Sequence, residues 1–497
     1  MQFRTRTACL VGCLLLAGNA GASIAPDRFE EIRQVIRAGL VENSVPSIAV
    51  AVAQDGKIVW EQGFGWADRE QRIAATEHSM YSLASISKPI TATGLMTLVH
   101  AGKVNLDKPI NDYLGNAKLH AWVGDAAQAT VRRVANHTAG LPTHFQFFYA
   151  DEAYPRPSMD ETILRYGNLV TAPGEIYQYS NLGYGLLDYL IERTSGTSFP
   201  DFMRREVFIP LGLTHTSVNI GPGLERFAAT RYEADGRPIP FYDFDHPGAS
   251  AIFSSAHDLV RFGMFHLEAH LADQKPILAD SMIEAMHQIS APPADHYGVG
   301  FDVSDKHGYH VIAHTGGMGG VATSLTLFPQ QRLAIVVLSN SMSGLPFDIA
   351  NRIAARMLPG WKLQDDTDDA HLEQQAKPLT PPANLVDEWK GILHTYTKDQ
   401  PVDMQIRSDG EAHIKIGDQL PALIHEPQLV ESELTGEFTA RIDTPDTERY
   451  RYRLALDLRL RGDVLNGSVM ATPDDERRTR NGLSHWIELH KLPKPTK

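Results

Sequence analysis

A chain of 497 residues, 43% apolar and 21% charged, is long enough for two or three globular domains and too evenly mixed for a disordered or fibrous protein. Its formal charge of −14 has the wrong sign for gripping a phosphate backbone, so nucleic acid is not expected as a partner. Both cysteines, Cys9 and Cys13, lie near the N-terminus, which leaves the rest of the chain without a thiol nucleophile, a cysteine zinc site or a disulfide.

Residues 1–22 read as a secretory signal. Arg4 and Arg6 supply the positive n-region, Thr7 to Gly18 the apolar stretch, and Ala20-Gly21-Ala22 the small-residue cleavage site. Removing the two positive charges takes the formal charge to −14 − 2 = −16. The apolar stretch is shorter than the roughly 20 residues a membrane span needs, so no transmembrane anchor is expected and the mature protein is expected in the periplasm or outside the cell. Leu10-Val11-Gly12-Cys13 resembles a lipobox, but three further leucines continue the apolar run past Cys13, where a lipobox would close it.

From Pro26, the spacing of Phe29, Ile32, Ile36 and Leu40 predicts a helix. Ser47 to Ala53 then reads as a buried strand, Asp55-Gly56 as a turn and Lys57 to Phe64 as the returning strand. Ser82 to Ser85 leads into a helix with Leu95, Leu98 and Val99 on its apolar face and Gly102 near its C-cap. Pro89 sets the start of regular helix at about Ile86, because proline is tolerated only where the backbone N–H has no partner. Leu182 to Thr194 and Ala256 to Leu267 read as helices, and Gly308 to His314, Val321 to Phe328 and Leu333 to Ser339 as strands. A helix and hairpin, then many helices, then strands predicts an α+β domain over residues 23–357: one antiparallel sheet built from both chain ends with helices packed against it.

Residues 358–385, with paired aspartates, paired glutamines and prolines, read as a linker. Beyond them the period becomes two. Val402, Met404 and Ile406 alternate with polar residues, as do Ala412, Ile414 and Ile416, and Tyr450 to Leu460 repeats the pattern with Asn466-Gly467 expected to help turn it back. Residues 386–497 are therefore expected to form a separate, smaller all-β, barrel-like domain.

Three motifs carry chemistry. Ser85-Ile86-Ser87-Lys88 places a hydroxyl and an amine at i and i+3 on one helix face, where a neutral amine can accept the serine proton and free an alkoxide for attack on an acyl carbon. Tyr179-Ser180-Asn181 lies in a loop that opens a helix and can present side chains to a cleft. His314-Thr315-Gly316-Gly317 ends an apolar strand, and its glycines allow a substrate backbone to approach closely. The N–H groups of Ser85 and Gly317 could converge as an oxyanion hole, each donor typically worth ~10²- to 10³-fold in rate. Tyr166-Gly167-Asn168 imitates the second motif but falls inside an apolar-periodic stretch, where packing is its simpler role.

Ser-x-x-Lys, Tyr-x-Asn and His-Thr-Gly in this order resemble the penicillin-recognising serine hydrolases, with the tyrosine pointing to the class C beta-lactamases and their D-aminopeptidase and esterase relatives. Supporting stretches are Asn136-His137-Thr138-Ala139-Gly140-Leu141-Pro142, Pro173-Gly174, Ile209-Pro210-Leu211-Gly212-Leu213 and Tyr297-Gly298-Val299-Gly300. The resemblance implies a beta-lactamase/transpeptidase-like fold over roughly 27–355, followed by a lipocalin-like domain. It implies that Ser85 is the nucleophile, that Lys88 and Tyr179 share the proton work, that Asn181 orients Lys88 and binds a substrate carbonyl, and that His314, Thr315, Gly316 and Gly317 line the substrate. Where beta-lactamases of this kind carry lysine, this chain has His314, a group mostly neutral at pH 7. The expected activity is hydrolysis of a small ester or amide, D-amino-acid peptides being the favoured amides. Beta-lactam hydrolysis, a non-hydrolytic penicillin-binding or sensing role, and acyl transfer are the alternatives, and the oligomeric state is open.

No cofactor and no metal are expected. His266 and His270 stand at i and i+4 but lack the His-Glu-x-x-His order and a third ligand, so a solvated helix end is expected there. The absence of Gly-x-Ser-x-Gly removes an α/β-hydrolase reading. Phe145 to Tyr149 is expected to be an aromatic loop that either lines a pocket or packs.

Overall fold

The computed structural model describes residues 27–268, 271–289, 293–363, 379–474 and 481–493. The expected signal, both cysteines, His270 and most of the expected linker lie outside them.

Ser47–Gln54 is apolar at nearly every position and is buried on both faces, as a strand covered on two sides must be. It takes a central place in an antiparallel sheet ordered Asp302–Lys306, Tyr309–Met318, Val321–Phe328, Leu333–Ser339, Ser47–Gln54, Lys57–Asp68 and Ile73–Ala74. The two chain ends meet where Ile48 pairs with Ser339 and Gln54 with Leu333. Helices Glu30–Glu42 and Leu345–Met357 cover one face through Ile32, Ile36, Ile349 and Ile353. The other face packs on Ala256–His266 and on the core built around Ser87–His100. That last helix is buried almost all round, as expected of a helix apolar on every face. The expected α+β layout is therefore the observed one.

Several boundaries differ for physical reasons. The strand expected to stop at His314 runs to Met318, because Thr315, Gly316 and Gly317 gain full pairing with Ser324, Thr323 and Ala322 despite weak strand propensity of their own. Phe145–Tyr149, expected as a loop, is a strand pairing with Tyr242–Phe244 on one side and with Asn481 and Gly482 on the other; its aromatics pack. Asn466-Gly467 does not turn the chain. It lies inside Val464–Pro473, and the turn falls at Gly462, whose φ is +67°. His266 is buried, hydrogen-bonded to Thr93 and His287, so the expected solvated helix end is wrong.

The C-terminal strands form a meander, Asp387–His394 to Asn481–Lys491, whose last strand pairs back onto its first, Ile392 opposite Glu488. The result is a nearly closed antiparallel barrel filled by Trp389, Leu393, Val402, Met404, Leu454, Leu456 and Ile487. It leans on the other half of the chain through Asp446, which accepts hydrogen bonds from Tyr154, Tyr166, Tyr396 and Arg165. Tyr166 of the imitation motif is thus an anchor for the barrel.

Candidate active site

From Ser79 to Met96 every residue is buried except Ser85. A 3₁₀ turn, Ala84–Ile86, precedes the α-helix Ser87–His100, so Ser85 stands at its mouth, half-buried where its neighbours are buried. The turn is held from below. Thr323 Oγ1 donates to Leu83 O at 2.9 Å, Leu83 N–H donates to Ile252 O, and Ser87 Oγ accepts from Ile252 N–H. Ala84 has φ of +48°, a left-handed conformation costing a non-glycine residue roughly 1 kcal/mol. It sits directly before the half-buried Ser85.

Lys88 is 0% exposed. Its Nζ lies 2.7 Å from Asn181 Oδ1, 3.3 Å from Ala249 O and 3.1 Å from Ser85 Oγ. Burial holds the ammonium form well below the usual lysine range and outweighs the opposing pull of the Asp302 carboxylate. A neutral amine has two N–H groups and one lone pair. Asn181 Oδ1 and Ala249 O only accept, so they take the two hydrogens, and the lone pair is left for the Ser85 hydroxyl.

Asn181 opens the helix Asn181–Ser195, whose N-cap Ser180 accepts from Gly183 N–H, a standard way to fix a helix start. That start places Tyr179 beside the Ser85–Lys88 pair, its ring centroid 4.6 Å from Lys88 Nζ. Burial raises the Tyr179 phenol, so it is a neutral hydroxyl at ordinary pH. Both neighbours of Tyr179 are tied to His137: Gln178 N–H donates to His137 O at 2.8 Å, and Ser180 N–H donates to His137 Nδ1 at 3.2 Å. The His137 ring also packs 4.4 Å from the Tyr179 ring. Thr143 Oγ1 donates to Tyr179 O at 2.9 Å.

His314 faces the same cluster, 3% exposed. Thr315 O can only accept, so Nδ1, 2.7 Å away, carries the hydrogen, and Nε2 accepts from the Tyr297 hydroxyl at 2.9 Å. Both ring nitrogens are satisfied in the neutral form. Burial, with Lys88 nearby, lowers His314 to about 3. Thr315 and Gly317 are exposed on a strand edge that has no strand partner among the described residues, since Asp302–Lys306 pairs only as far as Ala313. A Cβ on Gly316 would meet Leu83 O at 2.2 Å, so glycine is what lets this strand approach the Ser85 turn.

Ser85, Lys88 and Asn181 are therefore joined by hydrogen bonds, the Tyr179 ring lies 4.6 Å from Lys88 Nζ, Gly316 packs against the Ser85 turn, His314 reaches the same group through Tyr297 and His137, and Thr315 and Gly317 lie on the open strand edge. Sequence reasoning missed the residues that hold them: His137, Tyr297, the Ala249 carbonyl, and Tyr184, whose ring lies 5.8 Å from Lys88 Nζ and 5.5 Å from the His137 ring. His137 and Tyr297 lay in stretches already singled out, and a buried polar residue within such a stretch was the available signal. Among the described residues no three metal-ligating side chains converge, and no helix is long and apolar enough to cross a membrane.

Comparison with known proteins follows the same lines. The beta-lactamase family matches residues 32–357. Protein flp of Staphylococcus aureus strain N315 is 25% identical over 325 residues, 63% of each chain, so the match spans under two thirds of that relative's length. Penicillin-binding protein 4* of Bacillus subtilis strain 168 is 26% identical over 333 residues, 61% of this chain and 69% of its own. The octameric penicillin-binding protein homologue from Pyrococcus abyssi shares the fold, with a TM-score of 0.59 at 21% identity, over 92% of this chain and 99% of that one.

Proposed function

The chain belongs to the beta-lactamase family, and on that premise we propose that it is an exported serine hydrolase that opens small esters or amides through an acyl-enzyme on Ser85, D-amino-acid peptides being the favoured amides. The observation that carries this reading is the buried Lys88 amine, its two hydrogens accepted by Asn181 and Ala249 and its lone pair facing Ser85 Oγ at 3.1 Å. Such an amine is a base already in place.

In the first half-reaction the Ser85 proton moves to Lys88 Nζ while Oγ bonds to the substrate carbonyl carbon. The carbonyl oxygen takes up the negative charge, held by the N–H groups of Ser85 and Gly317. As the tetrahedral centre collapses, the bond to the leaving alcohol or amine breaks. The leaving group receives a proton from the Tyr179 hydroxyl, which Lys88 reprotonates. Water then repeats the sequence in reverse, giving up one proton to the same pair and leaving a carboxylic acid and free Ser85. His314, neutral and saturated, gives no fixed cation for a carboxylate, which supports esters and amides over beta-lactams.

The test is incubation of the purified protein with a chromogenic ester, a D-alanyl peptide and a beta-lactam, following turnover and intact mass. Steady product without a lasting adduct, abolished by Ser85→Ala, is the expected result. A persistent adduct on the beta-lactam would instead mark a binding protein, product that forms only with an added amine or alcohol would mark a transferase, and full turnover by Ser85→Ala would sink the assignment.

A further inference from the structure

Asp302 stands at the rim of the catalytic cluster: its backbone pairs with that of Tyr297, the partner of His314, and its charge bears on Lys88, Tyr179, Tyr184 and Tyr297. It is half-buried and makes no side-chain hydrogen bond among the described residues, where the charges of His296, Lys306 and Lys88 bear on it. A carboxylate taken partly out of water without a partner is costly, and such a cost is commonly met by a ligand.

Its place in the sheet says where that ligand lies. Asp302 is the end of the edge strand and pairs with Ala313. Directly opposed residues in an antiparallel pair share a face, and so does the residue two further on, at a diagonal of about 7–8 Å. That residue is Thr315, exposed on the open edge. Val303 and its partner Ile312 point the other way, into the core. The half-buried Tyr177 reaches this region through Tyr297, its ring 6.0 Å from that of Tyr297, whose backbone pairs with Asp302, and 4.4 Å from the His296 ring; an aromatic ring near a carboxylate is a receptor for an organic cation.

We infer that Asp302, with Thr315 and Tyr177, forms a subsite for a cationic group, so that the arm of the substrate lying along His314 and Thr315 carries an ammonium. This rests on the hydrolase reading above and adds to it the charge of the substrate. The neutral His314 and the anionic Asp302 act in the same sense, the first removing attraction for a carboxylate and the second repelling it.

The experiment uses two series of esters. In one the alcohol arm varies: 2-aminoethyl, propyl and carboxymethyl esters of benzoic acid. In the other the acyl arm varies: β-alanyl, butyryl and succinyl esters of 4-nitrophenol. kcat/KM is measured for the full-length protein, and Kd is measured calorimetrically on Ser85→Ala. In at least one series the ammonium member is expected to exceed the neutral one by about tenfold and the carboxylate member by about 100-fold. Asp302→Asn is expected to shrink the ammonium-to-carboxylate ratio at least tenfold, Asp302→Glu to retain most of it, and Asp302→Arg to invert it. An unchanged ratio in Asp302→Asn, or no charge preference in either series, would overturn the inference. If no ester is turned over, the hydrolase reading fails, and the Kd ratios still decide the charge of the subsite.

Discussion

Asn181→Asp is nearly isosteric and puts a negative charge where Asn181 Oδ1 now sits, 2.7 Å from Lys88 Nζ. At an effective dielectric of about 20, two unit charges at that separation attract by about 332/(20 × 2.7), near 6 kcal/mol, which is roughly 4 pK units at ~1.36 kcal/mol each. The new carboxylate must itself ionise inside a buried site, which consumes part of this, so a rise of about 2 units in the Lys88 pKa is the expected floor. The sign follows from the role: if neutral Lys88 takes the Ser85 proton, raising its pKa moves the ascending limb of kcat/KM to higher pH. Below the new limb the rate falls about 100-fold at 2 units, while at high pH it recovers. A pH profile on a neutral ester, free of charge selection by Asp302, reads this directly. Loss of the Asn181 amide as a substrate donor lowers the plateau instead, so the limb and the plateau separate the two roles. Tyr179→Phe is the companion, expected to lower the plateau without moving the limb. A limb that stays in place in Asn181→Asp refutes Lys88 as the resting base.

Gly316→Ala should slow acylation at least 100-fold and lower the melting temperature, because its Cβ would meet Leu83 O at 2.2 Å and Thr323 Oγ1 at 2.4 Å, backbone and a pinned hydroxyl that cannot step aside; a wild-type rate would refute the close approach. Gly317→Ala meets only the flexible end of Met342, at 3.3 Å, and should melt within a degree or two of the parent in the same assay. Stability should fall as pH drops below about 6.5, since burial lowers His314 and His287 to about 3 and His485 to about 4. Below the unfolded pKa the unfolded chain binds protons that the folded one refuses, at roughly 1.4 kcal/mol per histidine per pH unit. Asp302 and Asp457, raised by burial to about 6, oppose this in part between about pH 4 and 6. Urea midpoints from pH 7.5 to 4.5 test it, with His485→Gln expected to remove about one proton from the slope and an unchanged slope counting against the burial argument. The ammonium preference should itself fade as pH falls through about 6, where Asp302 protonates.

Legibility in the sequence followed the range of the interaction. The strand Ser47–Gln54 and the helix Ser87–His100 announced themselves because burial writes a local apolar pattern. Ser85, Lys88, Tyr179 and Asn181 were legible as short motifs, and the fold brings Lys88 within hydrogen-bonding reach of Ser85 and Asn181, with the Tyr179 ring 4.6 Å from its Nζ. What escaped were contacts joining distant segments. Nothing local in Ala256–His266 says that His266 is capped by Thr93 and His287. Nor does Asn466-Gly467, a strong turn signal, reveal that strand pairing on both sides overrides it, with Gly467 kept because a Cβ would meet Asp457 O at 2.1 Å. Asp302 was invisible because its meaning depends on pairing with Ala313 in a strand that the local sequence does not reveal.

The barrel read as an appendage, yet its contacts fall on the loop that carries Tyr179. Asp457 accepts from Gln178 Nε2 at 3.0 Å, Arg461 pairs with Glu175 at 2.5 Å, and Ser484 Oγ donates to Thr143 O, whose own hydroxyl donates to Tyr179 O. Glu175 in turn accepts from Ala172 N–H at 3.0 Å, so both flanks of the loop are held from the barrel side. A loop fixed only by its own chain would leave the Tyr179 hydroxyl free to wander by more than the few tenths of an ångström that proton transfer tolerates. The outer struts are single polar contacts, each worth about 1 kcal/mol, so cutting one should alter precision more than stability. Asp457→Ala and Ser484→Ala, each of which removes its strut, are accordingly expected to lower kcat several-fold with KM and melting temperature nearly unchanged. A fall in melting temperature without loss of kcat would make the barrel a brace for the fold alone.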